Sequence, residues 1–161
     1  MTRIVDRAAW PRRELFDFFS PMSQPFFSVT FRQDVTRLYQ FTKENRLSFY
    51  HSLVYLCTRA VNGVEAFRYA LRGKDLVLFD RRNPSFTDRK PGAEQFHIVT
   101  LPMEEDLQTF CAAARAKSAA QTTFLDQEDS LDLIYFTCLP WVELTALTNE
   151  RNFDPDDAVP R

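Results

Sequence analysis

Tyr50, Leu53, Val54, Cys57 and Val61 fall at i, i+3, i+4, i+7 and i+11, an apolar stripe that an α-helix places on one face. The spacing predicts a helix from about Ser48 to Asn62, with Gly63 as its C′ residue. Around it the period changes. Phe27, Val29 and Phe31 alternate with Ser28 and Thr30, the pattern of a half-buried strand. Phe67 to Leu71 and Leu76 to Asp80 read as strands around the turn Arg72-Gly73-Lys74-Asp75. Pro84 to Thr87, Phe96 to Leu101, Leu133 to Leu139 and Trp141 to Leu147 read as further strands, the last two hinged at Pro140. Helices precede and follow. Pro11 suits the first position of a helix ending at Ser20-Pro21. Asp34 suits the N-cap of a helix carrying Val35, Leu38 and Phe41. A third helix follows Pro102, with Glu104, Glu105 and Asp106 in its first turn and Leu107, Phe110, Cys111 and Ala114 on its buried face. Asp126 to Asp132 reads as an acidic loop, and the polar, proline-punctuated residues after Leu147 as a connection. The fold expected is mixed α and β in one domain.

Composition bears on partners. The 161 residues are 45% hydrophobic and 14% aromatic, enough for a packed core, and 16 phenylalanines point to that core or to an aromatic-walled pocket. A net charge of −2 with only short basic runs, Arg12-Arg13 and Arg81-Arg82, gives no footprint for nucleic acid. No apolar run is long enough to cross a bilayer, so no membrane partner is expected. Cys57, Cys111 and Cys138 are far apart in apolar stretches, and read as buried reduced thiols of a cytoplasmic protein.

Chemistry is hard to find from the residues alone. Three separated glycines, Gly63, Gly73 and Gly92, build neither a P-loop nor a dinucleotide fingerprint. No ligand spacing for a metal is present, so no metal is expected. His51 and Cys57 would lie about 240° apart around a helix and do not face each other. His97, in a predicted strand beside Phe96, is either a hydrogen-bonded surface histidine or a pocket residue.

One ordered set of short motifs says more. Trp10-Pro11-Arg12-Arg13-Glu14-Leu15-Phe16-Asp17-Phe18-Phe19 is followed by Phe27-Ser28-Val29-Thr30 and Asp34-Val35-Thr36. Then come Phe49-Tyr50, Ala60-Val61-Asn62, Phe67-Arg68-Tyr69, Pro84-Ser85-Phe86-Thr87 and Leu139-Pro140-Trp141-Val142. In this order they resemble the chloramphenicol acetyltransferase family over nearly the whole chain. The resemblance implies an α+β fold, the two-layer α/β sandwich of CoA-dependent acyltransferases, as a single domain over 1–161. It implies a homotrimer with active sites between subunits, and acetyl-CoA as co-substrate. It implies a small hydroxylated acceptor, chloramphenicol being one candidate. The acceptor hydroxyl is deprotonated by the histidine of a His-x-x-x-Asp-Gly motif and attacks the thioester.

Neither His51 nor His97 stands in such a motif, and Asp-Gly occurs nowhere in these residues. The expectation is a truncated chain, lacking the last strand and helix, that is inactive alone. Alternatives are a catalytically inactive binding or assembly module of the same fold, or assembly with a separate C-terminal piece. The resemblance places Phe18, Phe19, Phe27, Phe96 and Ile98 around the acceptor pocket, with Ser85 and Thr87 at its edge. Phe19 stands for a tyrosine and Ile98 for an alanine, giving one lost hydroxyl and a tighter pocket. Ala146 stands for a serine that hydrogen-bonds the oxyanion, a donor worth about 10²–10³ in rate. Thr145 is a candidate substitute, although a strand would aim it at the opposite face. Arg12 matches a structural arginine whose aspartate partner belongs to the absent motif.

Overall fold

The computed structural model describes residues 2–23, 25, 28–126 and 130–147. The elements in order are β1 (Thr2–Ile4), α1 (Arg13–Phe19), α2 (Thr36–Glu44), α3 (Phe49–Asn62), β2 (Tyr69–Arg72), β3 (Asp75–Phe79), β4 (Asn83–Asp88), β5 (His97–Thr100), α4 (Leu107–Ala120) and β6 (Leu133–Phe136). A 3₁₀ turn, Glu65–Arg68, leads into β2. The fold is α+β.

Among the described residues the strands form two three-stranded sheets. One is antiparallel, in the order β1-β3-β2. Its hairpin turns at Gly73, whose φ of 60° is cheap only without a Cβ. Trp10 and Phe16 of the α1 region pack on the face made by Tyr69, Leu71, Leu76 and Leu78. The second sheet has the order β5-β4-β6, with β4 antiparallel to β5 and parallel to β6. Helices α3 and α4 layer over it. Val54 and Tyr55 from α3, Phe86 from β4, Val99 from β5, and Phe110, Cys111 and Ala114 from α4 make the principal core.

Arg82 joins the two halves. It is 1% exposed, and its guanidinium donates to the carbonyls of Phe67, Tyr69 and Leu131. Its backbone N–H donates to Asn62 at 2.6 Å. The side chain thereby links the start of β2 to the residues before β6.

Several sequence expectations are corrected. The buried face of α3 is His51, Val54, Tyr55 and Thr58, with Ser52. Of the apolar stripe only Val54 lies on that face; Tyr50, Leu53 and Val61 are partly buried at its rim, and Cys57 is exposed. Hydrophobicity misplaced the face because three of its positions are polar. Cys138 is exposed as well, so of the three free thiols only Cys111 is buried. Gly63 is the C-cap of α3 with helical dihedrals, and a Cβ there would stand 3.2 Å from the Ala60 carbonyl. Helix α1 begins at Arg13, two residues after Pro11. Asp34 precedes the N-cap Val35 and still accepts from the Thr36 N–H and hydroxyl. Glu104 and Glu105 lie before α4, whose N-cap is Asp106, accepting from the Thr109 N–H.

The expected strand at 27–31 is not found among the described residues. Phe27 lies outside them, and 28–31 have no regular structure. Alternation supplies a face, but a strand also needs a neighbouring backbone ladder. The polar contacts here run through side chains, Ser28 to the Leu147 carbonyl and Arg32 to Glu143. Likewise β6 ends at Phe136, and 141–147 form no strand. A turn closes across Pro140, where Val142 N–H donates to the Leu139 carbonyl. Proline has no N–H to continue a ladder.

Candidate functional site on the second sheet

Side chains alternate along β4. Phe86 and Asp88 face the helices: the Phe86 ring lies 5.8 Å from Tyr50 and 5.5 Å from His51, and Asp88 meets His51. Ser85 and Thr87 therefore face away. On β5 the register pairs Ser85 with Thr100 and Thr87 with Ile98, putting all four on this second face. The hydroxyls of Ser85 and Thr100 lie 2.8 Å apart and are buried. Those of Thr87 and Thr137 lie 3.2 Å apart at the exposed end. Burial at one end and openness at the other make this face a wall with hydroxyls and one aliphatic side chain.

Three of the expected acceptor residues, Ser85, Thr87 and Ile98, are thus side by side. Phe96 leads into β5 and is half-exposed, its ring 5.7 Å from that of Phe124. Phe124 was not anticipated. Its carbonyl accepts from the Ile98 N–H at 2.8 Å, and Leu125 bridges to Ile98, so this segment flanks the wall. Phe18 and Phe19 pack edge to face with each other at 5.0 Å, at the end of α1, and both are exposed. The structure does not bring them into ring contact with Phe96. Thr145 and Ala146 are exposed in irregular chain, so strand alternation does not apply to Thr145. Arg12 caps α1 through its backbone, is exposed, and finds no ion-pair partner among the described residues.

Both histidines are committed elsewhere. His51 Nε2 is 3.3 Å from Asp88 Oδ2, and His97 Nε2 is 3.0 Å from the Ser118 hydroxyl. Both rings are buried, so His97 is not the surface residue considered from the sequence. Burial alone pushes the Asp88 carboxyl up, but hydrogen bonds from His51, Ser118 and the Arg89 N–H outweigh it and hold the group at about 2. Among the described residues no group of His, Cys, Asp and Glu could hold a metal, and no helix is long and apolar enough to cross a membrane.

Comparison with known proteins points one way. The model of the family described as chloramphenicol acetyltransferase matches residues 1–156. A chloramphenicol acetyltransferase of Proteus mirabilis is 27% identical, the match covering 93% of this chain and 72% of that protein. Chloramphenicol acetyltransferase 2 of Escherichia coli is 32% identical, with 86% and 67% covered. A solved chloramphenicol acetyltransferase superposes with a TM-score of 0.79 at 25% identity, over 94% of this chain and 72% of that one.

Proposed function

Because the chain belongs to the chloramphenicol acetyltransferase family, we propose that it serves acetyl transfer from acetyl-CoA to a small hydroxylated acceptor, chloramphenicol first among the candidates. The observation that supports this best is the Ser85–Thr87–Ile98 face, where hydroxyls and an aliphatic side chain share one open-ended wall. Thr87 offers the acceptor a hydrogen-bonding group, and Ile98 narrows the space beside it. Phe18, Phe19 and Phe96 supply aromatic surface, and the family resemblance alone adds Phe27. Thr145 and Ala146 stand at the oxyanion position, where Ala146 offers no hydroxyl.

Direct attack of an acceptor hydroxyl on a thioester needs a general base within hydrogen-bond reach. His51 and His97 are buried, and each has its Nε2 engaged. No His-x-x-x-Asp-Gly occurs in the 161 residues. We propose that these residues bind acceptor but do not turn it over alone, and that the base, with the partner of Arg12, comes from residues outside this sequence. Nothing in the reaction calls for a metal.

The exposed apolar side chains of Phe31 and Trp141, 75% and 74% accessible, support cover by further copies; the homotrimer itself is what the family resemblance implies. The chain acts as one domain, in the cytoplasm, where acetyl-CoA is available.

Equilibrium dialysis with radiolabelled chloramphenicol, beside a thiol-release assay with acetyl-CoA, tests the reading. Saturable binding without thiol release is expected. Absence of binding up to the solubility limit would refute the acceptor reading, and sustained thiol release would refute the absence of a base.

A further inference from the structure

The face that carries Thr87 and Ile98 does not stop at β5. Thr87 is the register partner of Ile98, and Ile98 forms a parallel bridge with Leu125, in the chain that follows α4. On the other side, the Thr87 and Thr137 hydroxyls lie 3.2 Å apart. Bridge partners present their side chains to one face of a sheet. Thr137, Thr87, Ile98 and Leu125 therefore make one row across four segments of chain, two hydroxyls followed by two aliphatic groups. Leu125 is 46% exposed, so the apolar end of the row is open to solvent.

Leu125 needs holding, because residues 122–126 form no helix or strand of their own. Gln121, the C-cap of α4, supplies the hold. It is 8% exposed, and its Nε2 donates to the carbonyls of Ile98 at 2.8 Å and Thr123 at 3.0 Å. The Ile98 N–H in turn donates to the Phe124 carbonyl at 2.8 Å. Both backbone polar groups of Ile98 thus face this segment. Such groups alternate sides along a strand, so those of Val99 turn toward β4, where its register partner is Phe86. A second tie lies one helical turn back. Lys117 pairs with Asp126 at 3.0 Å and also donates to the Thr100 carbonyl. The Gln121 Oε1 is buried and has no partner among the described residues. The carbonyls around the amide fix its orientation, because only its N–H groups can donate to them.

We propose that Leu125 is a specificity-determining residue of the proposed acceptor wall, and that Gln121 is the positioning residue that holds it there. The row suits an acceptor whose hydroxylated part and apolar body lie side by side. Thr87 and Thr137 offer hydroxyls to the first, Ile98 and Leu125 an aliphatic surface to the second. What the row binds rests on the reading of that face given above; how the segment is held does not.

Amide hydrogen exchange of the full chain at neutral pH, without ligand, tests the hold. The Ile98 amide should be protected in the parent, although it does not donate to β4. Gln121→Glu keeps the shape and removes the amide donors. It should speed exchange at Ile98 about tenfold while Val99 keeps its protection. Asp126→Ala frees only the outer end of the segment and should speed Ile98 to a smaller extent, which keeps the test open if Gln121→Glu does not fold. Equilibrium dialysis with chloramphenicol tests the specificity. Leu125→Ser should leave the Ile98 amide protected and weaken binding about tenfold. An Ile98 amide that exchanges freely in the parent, or that neither Gln121→Glu nor Asp126→Ala moves, would overturn the positioning role. Parent-like affinity in Leu125→Ser would overturn the specificity role. Absent binding by the parent chain would instead refute the acceptor reading, and the ligand-free exchange still decides how Leu125 is held.

Discussion

The Tyr50 hydroxyl donates to the Thr87 carbonyl at 2.9 Å, tying helix α3 to the strand that carries the candidate acceptor wall. Tyr50→Phe removes that donor and keeps the ring against Phe86. Urea denaturation should show a loss of about 1 kcal/mol. The phenol also predicts alkaline behaviour. Burial, the largest cause, raises it to about 12, and the hydrogen bond to Thr87 opposes the shift. A group whose folded pKa is raised stabilises fully below its unfolded value and loses that contribution up to the folded one. Stability of the parent should therefore fall between about pH 10 and 12 by a component that Tyr50→Phe lacks.

Asp88 predicts the acid limb. Its folded value of about 2 lies below the ordinary carboxylate range, because the His51, Ser118 and Arg89 hydrogen bonds outweigh burial. A depressed carboxyl contributes stability above its unfolded pKa and loses it as pH falls through the folded one. That window runs from about pH 4 down to about 2. Thermal denaturation across it should be less pH-dependent in Asp88→Asn than in the parent. Equal slopes would mean that the carboxylate is not held by this network.

Much of this architecture was legible in the sequence, and the exceptions share a cause. The hairpin at Gly73, strands β4 and β5 and helix α3 were read from turn chemistry and periodicity, to within one or two residues. The resemblance named Ser85, Thr87 and Ile98, which the register of β4 and β5 sets on one face. The His51–Asp88 and His97–Ser118 pairs were missed because their members look like interruptions of apolar patterns. His51 and Thr58 fall on the buried face of α3, where an apolar stripe gives them no weight. One signal was present: Phe86 and Asp88 share parity on β4, so a carboxylate on the core face needed a partner. The strands expected at 27–31 and 141–147 failed for another reason. Alternation in one segment says nothing about whether a neighbouring backbone is there to pair with it.

Arg82 should be the costliest charged residue to replace. Arg82→Met leaves the carbonyls of Phe67, Tyr69 and Leu131 without that donor in a buried setting. Urea denaturation should register a loss of about 3 kcal/mol or more. Arg32→Ala, which breaks an ion pair between side chains that are 92% and 82% exposed, should leave stability unchanged within error. A mild effect at Arg82 would show that the two sheets hold together without it.

The proposed acceptor wall is tested most directly by titrating chloramphenicol into the chain and following the methyl resonances of Thr87 and Ile98. Saturable shifts at both methyls in the parent, and a weaker saturable shift at the Thr87 methyl when Ile98 is replaced by Asp, are the predicted result. Methyls that stay in place while chloramphenicol binds elsewhere, or no binding at all, would contradict the assignment of this face.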